Sequence, residues 1–258
     1  MPNKKVLLAG ETWVSAAMHF KGFDAFSSTT MHSGAQPLLD ALAGSAYDLV
    51  HLSSQDAVEK FPFTLDALNE YAAVILSDLG ANSLLLHQDV WLHGKTIPNR
   101  LKLIRDWVKT GGGLVMAGGY FSFQGIDGKA RWGRTAVEEV LPVDCLPYDD
   151  RLEVPEGFHG EVVLPNHPLM KGMPAGEWPE LLGANEIVLK EQFGMELVVR
   201  IPADQGGHPL LAAGSFGTGR SVAWASDVSP HWLPLSFVAW PGYKRLWLNV
   251  LDWVTRQS

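Results

Sequence analysis

The sequence predicts an α/β fold: a three-layer, doubly wound and mostly parallel sheet with helices on both faces and an added β-hairpin near the C-terminus. Three observations lead there. Short apolar runs stop at glycine or small polar residues, as in Lys4–Gly10, 71–76 and 114–117, which suits strands covered on both faces. Segments with apolar residues at helical spacing lie between them, the clearest being 98–110, where Leu101, Ile104, Trp107 and Val108 share one face. The recurring strand, helix, strand order requires right-handed crossovers, and these gather the carboxyl ends of the strands at one rim.

Composition narrows the classes. The 258 residues, 47% hydrophobic and 19% charged, suit one globular domain, 1–258, with a sizeable core. A net charge of -8 argues against sequence-independent binding to nucleic acid, which needs Lys and Arg to neutralise phosphates. The basic start is followed only by Val6 to Ala9 before Gly10, and no apolar run reaches membrane-spanning length, so no membrane partner and a cytoplasmic location are expected. The single cysteine, Cys145, excludes an intramolecular disulfide and any multi-cysteine metal site.

The first strand, Lys4–Gly10, exits at Glu11, Thr12 and Trp13. Glu11 there is either a ligand-facing carboxylate or the cap of a following turn. Gln36–Leu42 has helical spacing and Tyr47–Leu52 reads as the second strand, with His51 a satisfied buried histidine. A short helix over 65–70 precedes the third strand, 71–76, which ends in Ser77-Asp78-Leu79-Gly80. Asp78 can face a ligand or hold its own loop by accepting backbone N–H bonds. His87, Asp89, Trp91 and His93 follow without tight metal-ligand spacing, and no metal or cofactor is expected.

The stretch Gly111 to Gly125, G-G-G-L-V-M-A-G-G-Y-F-S-F-Q-G, reads as a loop, a buried strand and a sharp turn. It sets Gly118, Gly119 and Tyr120 at a strand's carboxyl end, where open parallel sheets hold their ligands. A short helix over 135–140 leads to a proline-bounded loop, 142–155, holding Cys145, Tyr148, Asp149 and Asp150. Short strands follow at 161–164 and 186–189, with a turn at His167 to Met170 between them.

Residues 214–221, G-S-F-G-T-G-R-S, differ by one residue from the phosphate-binding pattern G-x-x-x-x-G-K-[ST]. That loop needs a helix after it, whereas Val222 to Ala225 are strand-like, so the segment predicts a hairpin. The hairpin delivers Asp227 and His231, four residues apart: an acid and a base that orient one another, or a cap and a packed ring. Pro241–Val254 is the closing amphipathic helix. Trp132, Trp178 and Phe123 in apparent loops suggest an apolar patch and a homo-oligomer.

The stretches G-G-G-L-V-M-A-G-G-Y-F-S-F-Q-G, S-D-L-G-A-N-S, G-x-G-R-S-V-A-W-A-S-D-V-S-P-H-W and W-P-G-Y-x-x-L-W together resemble the putative glutamine amidotransferase family of bacterial cytoplasmic proteins. That family lies in the class I glutamine amidotransferase-like superfamily, and the resemblance covers nearly the whole chain. It implies a flavodoxin-like sheet with a nucleophile elbow, G-x-C-x-G, and a downstream histidine with a nearby acid. Here the elbow is Ala117-Gly118-Gly119-Tyr120-Phe121, without cysteine, and Asp227 and His231 stand late in the chain without the usual H-x-E. The expectation is therefore a fold without cysteine-dependent glutaminase chemistry, binding a small polar metabolite at the rim through Glu11, Asp78, Gly118 and Gly119. An alternative is a hydrolase or lyase acting on a sugar or amide through Asp227, His231 and Tyr120. A third reading is an oligomeric scaffold subunit.

Overall fold

The structure, a computed structural model, describes residues 3–256. Strand β1 (Lys4–Gly10) leaves the sheet at Glu11 and the chain departs at once into a ribbon, β2 (Thr12–Lys21) and β3 (Asp24–Ser33). It returns through α1 (Gln36–Leu42) to β4 (Tyr47–Leu52), then α2 (Ser54–Lys60) and α3 (Leu65–Leu68) to β5 (Ala73–Ser77). Helices α4 (Ala81–Leu85), α5 (Gln88–Trp91) and α6 (Arg100–Lys109) lead to β6 (Gly113–Ala117). The Ser53 hydroxyl opens α2 by accepting from Asp56 N–H, and Asn99 opens α6 by accepting from Leu101 and Lys102 N–H. Pro98 thus lies just outside the helix.

After α7 (Ala136–Val140) come β7 (Val143–Cys145), β8 (Arg151–Phe158), β9 (Glu161–Val162), β10 (Leu181–Asn185), β11 (Ile187–Leu189) and β12 (Met195–Arg200). The hairpin expected near the C-terminus is β13 (Pro209–Phe216) and β14 (Gly219–Trp224), followed by α8 (Leu235–Ala239) and α9 (Pro241–Val254).

The eight-stranded sheet runs β4-β1-β5-β6-β14-β13-β12-β9, parallel from β4 to β14 and antiparallel beyond. Strands β5 and β6 are buried along their whole length, which explains their uninterrupted apolar runs. Two helix groups cover the sheet: α1 and α8 pack on α9, while α3, α4 and α7 pack on α6. The chain passes from β4 on one side of β1 to β5 on the other, so a crevice opens at the carboxyl ends of β1 and β5.

Three expectations are corrected. Residues 142–155 are not a plain loop: β7 pairs with β11 and β8 with β10 in small two-stranded sheets. Pro155 sits within β8 at the register shift between Glu153 and Phe158, where it has no partner in β10 and no ladder N–H is required of it. Trp132, Trp178 and Phe123 form no surface patch, because all three rings are buried. Trp132 donates its indole N–H to Leu79 C=O, and Trp178 packs among Trp224, Phe237 and Trp240. Exposed apolar side chains gather instead on the β2–β3 arm, for which the sequence predicts no element. Every residue from Trp13 to Ser33 is exposed apart from the half-buried Ser28 and His32.

Candidate functional site

Strands β1, β5, β6 and β14 are consecutive neighbours in parallel register, so their carboxyl ends set Glu11, Asp78, the Gly118 to Tyr120 turn and Asp227 along one rim. A cavity of about 420 Å³ opens there, lined by Glu11, Trp13, Asp78, Tyr120, Phe121, Asp227, Ser229, Pro230 and His231. The five side chains expected from the sequence therefore meet in one place. Gly118 and Gly119 do not line it.

Glu11 and Asp78 both hold left-handed backbone, φ 54° and 45°, a conformation seldom taken by residues other than glycine. Glu11 is enforced from both sides: its N–H donates to Ser77 C=O, and Gly34 N–H donates to its C=O. Its carboxyl accepts from Ser77 Oγ at 2.5 Å. Burial, and next the neighbouring Asp78 charge, raise its pKa from 4.5 to about 8, so it is an un-ionised acid at neutral pH. Asp78 is likewise pushed up by burial, although Phe121 N–H donates to its Oδ1 at 2.7 Å. It thereby braces the neighbouring elbow rather than its own loop.

Asp227 Oδ2 accepts from Trp232 N–H and lies 2.8 Å from His231 Nδ1. It caps the turn and orients the imidazole at once. That contact raises the His231 pKa, against partial burial. The Tyr120 ring meets His231 edge-on at 4.7 Å and Trp232 at 5.5 Å, and the Arg151 guanidinium lies over it, 5.1 Å from its centre. Burial raises the Tyr120 pKa, so the phenol stays neutral.

The elbow itself is closed. Gly118 N–H donates to Trp224 and Ser226 C=O, and a Cβ at Gly118 would stand 2.3 Å from Ala225 C=O. Gly119 has φ 133°, and a Cβ there would stand 3.0 Å from Asp78 Oδ1 and 3.2 Å from Asp227 Oδ1. Its N–H donates to Asn185 Oδ1, while Asn185 Nδ2 donates to Gly119 C=O and to Asp150. Asp150, raised by burial to about 6, also accepts from Gln124 and Gly125 N–H and so ties the turn down. Asn185, Asp150, Trp13, Phe121, Ser229 and Pro230 were not found from the sequence. Only the apolar company of Trp13 beside Glu11 offered a signal.

The remaining candidates lie elsewhere. Cys145 lines a different cavity of about 510 Å³ with Gln124, Arg131, Arg134 and Glu138, and burial raises its thiol pKa, which disfavours a thiolate. That cavity is larger, but the rim collects the paired acids and imidazole, so the rim is the candidate site. His87 caps α5 by accepting Asp89 N–H and pairs with Glu59, while His51 Nε2 bonds Gly10 C=O. Among the described residues no group of three or more His, Cys, Asp or Glu is arranged to hold a metal ion. Arg220 of the P-loop-like segment donates to Trp253 C=O from within β14.

Comparison with known proteins agrees with this architecture. Two cytoplasmic proteins of Salmonella typhimurium superpose with TM-scores of 0.90 and 0.89 at 38% and 39% identity. The first covers 96% of this chain and 98% of its own, the second 97% and 99%. A ThuA-like protein of Bacteroides uniformis shares the fold alone, with a TM-score of 0.59 at 14% identity over 98% of this chain and 91% of its own. No curated protein matches. Residues 5–256 match the sequence family described as "Putative glutamine amidotransferase", and the chain belongs to that family.

Proposed function

We propose that this is a cytoplasmic amidotransferase-like protein without glutaminase activity, which binds a small polar metabolite in the rim cavity. The observation that carries the reading is the crowding at Gly119. A glutaminase needs a thiolate projecting from this position and free amide donors for the oxyanion that its attack creates. Here two carboxylates close on the space a side chain would fill, and the N–H groups of Gly118, Gly119 and Phe121 are already engaged. What remains is a pocket of hydrogen-bonding carboxyls and an imidazole walled by Trp13, Tyr120 and Phe121, a composition suited to a hydroxyl- or amine-bearing ligand with an apolar face.

The test has two arms. Purified protein incubated with glutamine releases no ammonia, and a metabolite that raises the melting temperature of the wild type leaves Asp227→Asn/Tyr120→Ala unshifted. Glutamine-dependent ammonia release that His231→Ala abolishes would overturn the reading.

A second reading, a hydrolase or lyase acting on a sugar or amide, is favoured by one further observation. The Glu11 carboxyl, which holds its proton to about pH 8, and the Asp227-oriented His231 line the same cavity, and two groups placed to give and take a proton near neutral pH are what acid–base catalysis requires. Turnover of a glycoside or amide panel with a bell-shaped pH profile, one limb lost in Glu11→Gln and the other in His231→Asn, would establish it. A panel without turnover removes it.

A further inference from the structure

Beyond Trp13, the β2–β3 arm takes no part in the rim cavity. Its ten residue pairs run unbroken from Thr12 opposite Ser33 to Lys21 opposite Asp24, and the ribbon forms a sheet of its own. Only its base is anchored, where Thr12 is buried against α2, and a two-stranded ribbon with nothing packed on the rest of it is marginal in water. One face presents Val14, Met18, Phe20 and Met31, 49–76% exposed, with Phe23 at the tip fully exposed. The other face carries Trp13 stacked on His32 and His19 stacked on Phe26. Natural proteins blunt a long exposed edge with charges, prolines or bulges. Between Trp13 and Ser33 there is no proline, the register has no bulge, and the only charged residues are Lys21 and Asp24 beside the turn.

We infer that the arm is the docking surface for a second copy of this chain. Three features select that occupant. The outer edges of the ribbon need an extended strand of matching length, and the arm of another copy supplies one in a two-fold, self-complementary arrangement. The arm's only charges, Lys21 and Asp24, are of opposite sign and pair across the ribbon next to the turn, so a second arm meets no like-charge repulsion there despite the chain's net charge of -8. The rings of Trp13, Phe20, Phe23 and Phe26 offer on the order of several hundred Å². Two ten-residue strands supply the rest of the roughly 800 Å² per partner that a stable interface buries. A lipid surface fits less well, because membrane-seeking segments set Lys and Arg beside their apolar face and this arm has one lysine.

Sedimentation equilibrium of the full chain tests this without any ligand, so its outcome is independent of the metabolite reading. The wild type is expected at twice the 28.2 kDa chain mass or a higher even multiple of it. Met18→Lys/Phe20→Lys, and the milder Phe20→Ser/Met31→Ser should the first misfold, are expected at the single-chain mass with unchanged circular dichroism. A wild type that sediments as a monomer at its highest soluble concentration overturns the proposal, as does an oligomer that survives both variants. Flotation of a monomeric wild type with phosphatidylcholine and phosphatidylserine vesicles, lost in the variants, would also overturn it and assign the arm to lipid.

Discussion

Gly119 is held at φ 133° between the carboxylates of Asp78 and Asp227, and both features oppose a side chain. Substituting cysteine there restores the nucleophile of the elbow in name only. The Cβ must strain the backbone and displace a carboxylate that braces Phe121, so Gly119→Cys is expected to lower unfolding free energy by about 1–3 kcal/mol in urea titration. Ammonia release from glutamine should stay at background. Asp227 acts at the same scale but through charge. Its hydrogen bond is the largest influence raising the His231 pKa, so Asp227→Asn should lower the midpoint of the His231 ring titration followed by NMR. The asparagine oxygen still accepts from Trp232 N–H, which keeps the turn in place. An unchanged midpoint would show that the pairing does not set the imidazole's charge.

At the scale of elements, β14 decides the fate of a motif. Arg220→Lys completes G-x-x-x-x-G-K-S, yet residue 220 pairs with Ser215 in a β-hairpin and no helix follows, so calorimetry with ATP and magnesium should show no binding. Heat of binding at micromolar affinity would refute the strand-based argument. The hairpin was legible beforehand because Leu210 to Ala213 and Val222 to Ala225 are apolar, glycine-punctuated runs. The same holds for β1, β5 and β6, buried strands whose composition follows from burial on both faces, and their carboxyl ends point to Glu11, Asp78 and Tyr120, as the end of β14 points to Asp227. The arm was not legible for the converse reason: an element that touches no core carries no core-imposed period, and β2 reads W-V-S-A-A-M-H-F without a consistent buried side. Asn185 and Asp150 were hidden differently, since their partnership joins residues 35 apart in sequence and reaches Gly119 only through tertiary packing. Arg100 belongs to that class too. Fully buried at the start of α6, its guanidinium donates to the carbonyls of Leu84, Ala57, Val58 and Ser83 and so clamps α6 to α2 and α4. Arg100→Ala strands those carbonyls and is expected to cost about 3–5 kcal/mol, read as a fall in urea midpoint.

For the molecule as a whole, the rim gives stability a direction with pH. Glu11, with its pKa raised from 4.5 to about 8, binds its proton more tightly in the folded protein than in the unfolded chain, and Asp78, Asp150 and His231 are raised as well. Below pH 4.5 Glu11 is protonated in both states and its contribution is complete. As pH rises the unfolded carboxyl ionises first, unfolding then releases a proton, and stability falls until the folded carboxyl ionises near pH 8. At about 1.4 kcal/mol per unit the shift from 4.5 to about 8 sets a ceiling on the order of 5 kcal/mol for this group. The opposite sign comes from Asp149, held well below the usual carboxylate range by Arg151, and from Asp56 and Asp89 beside lysines: these contribute above the ordinary aspartate range and lose that contribution as pH falls. The two trends cross in mildly acidic solution, where the melting temperature should be highest, and it should decline toward pH 8. Glu11→Gln keeps the shape of the side chain and the hydrogen bond from Ser77 but has no proton to lose, so its melting temperature should decline much less between pH 5 and pH 8 than that of the wild type. A variant as steep as the wild type would mean that Glu11 is already ionised in the folded protein, and the cavity would then present three carboxylates rather than two and an acid.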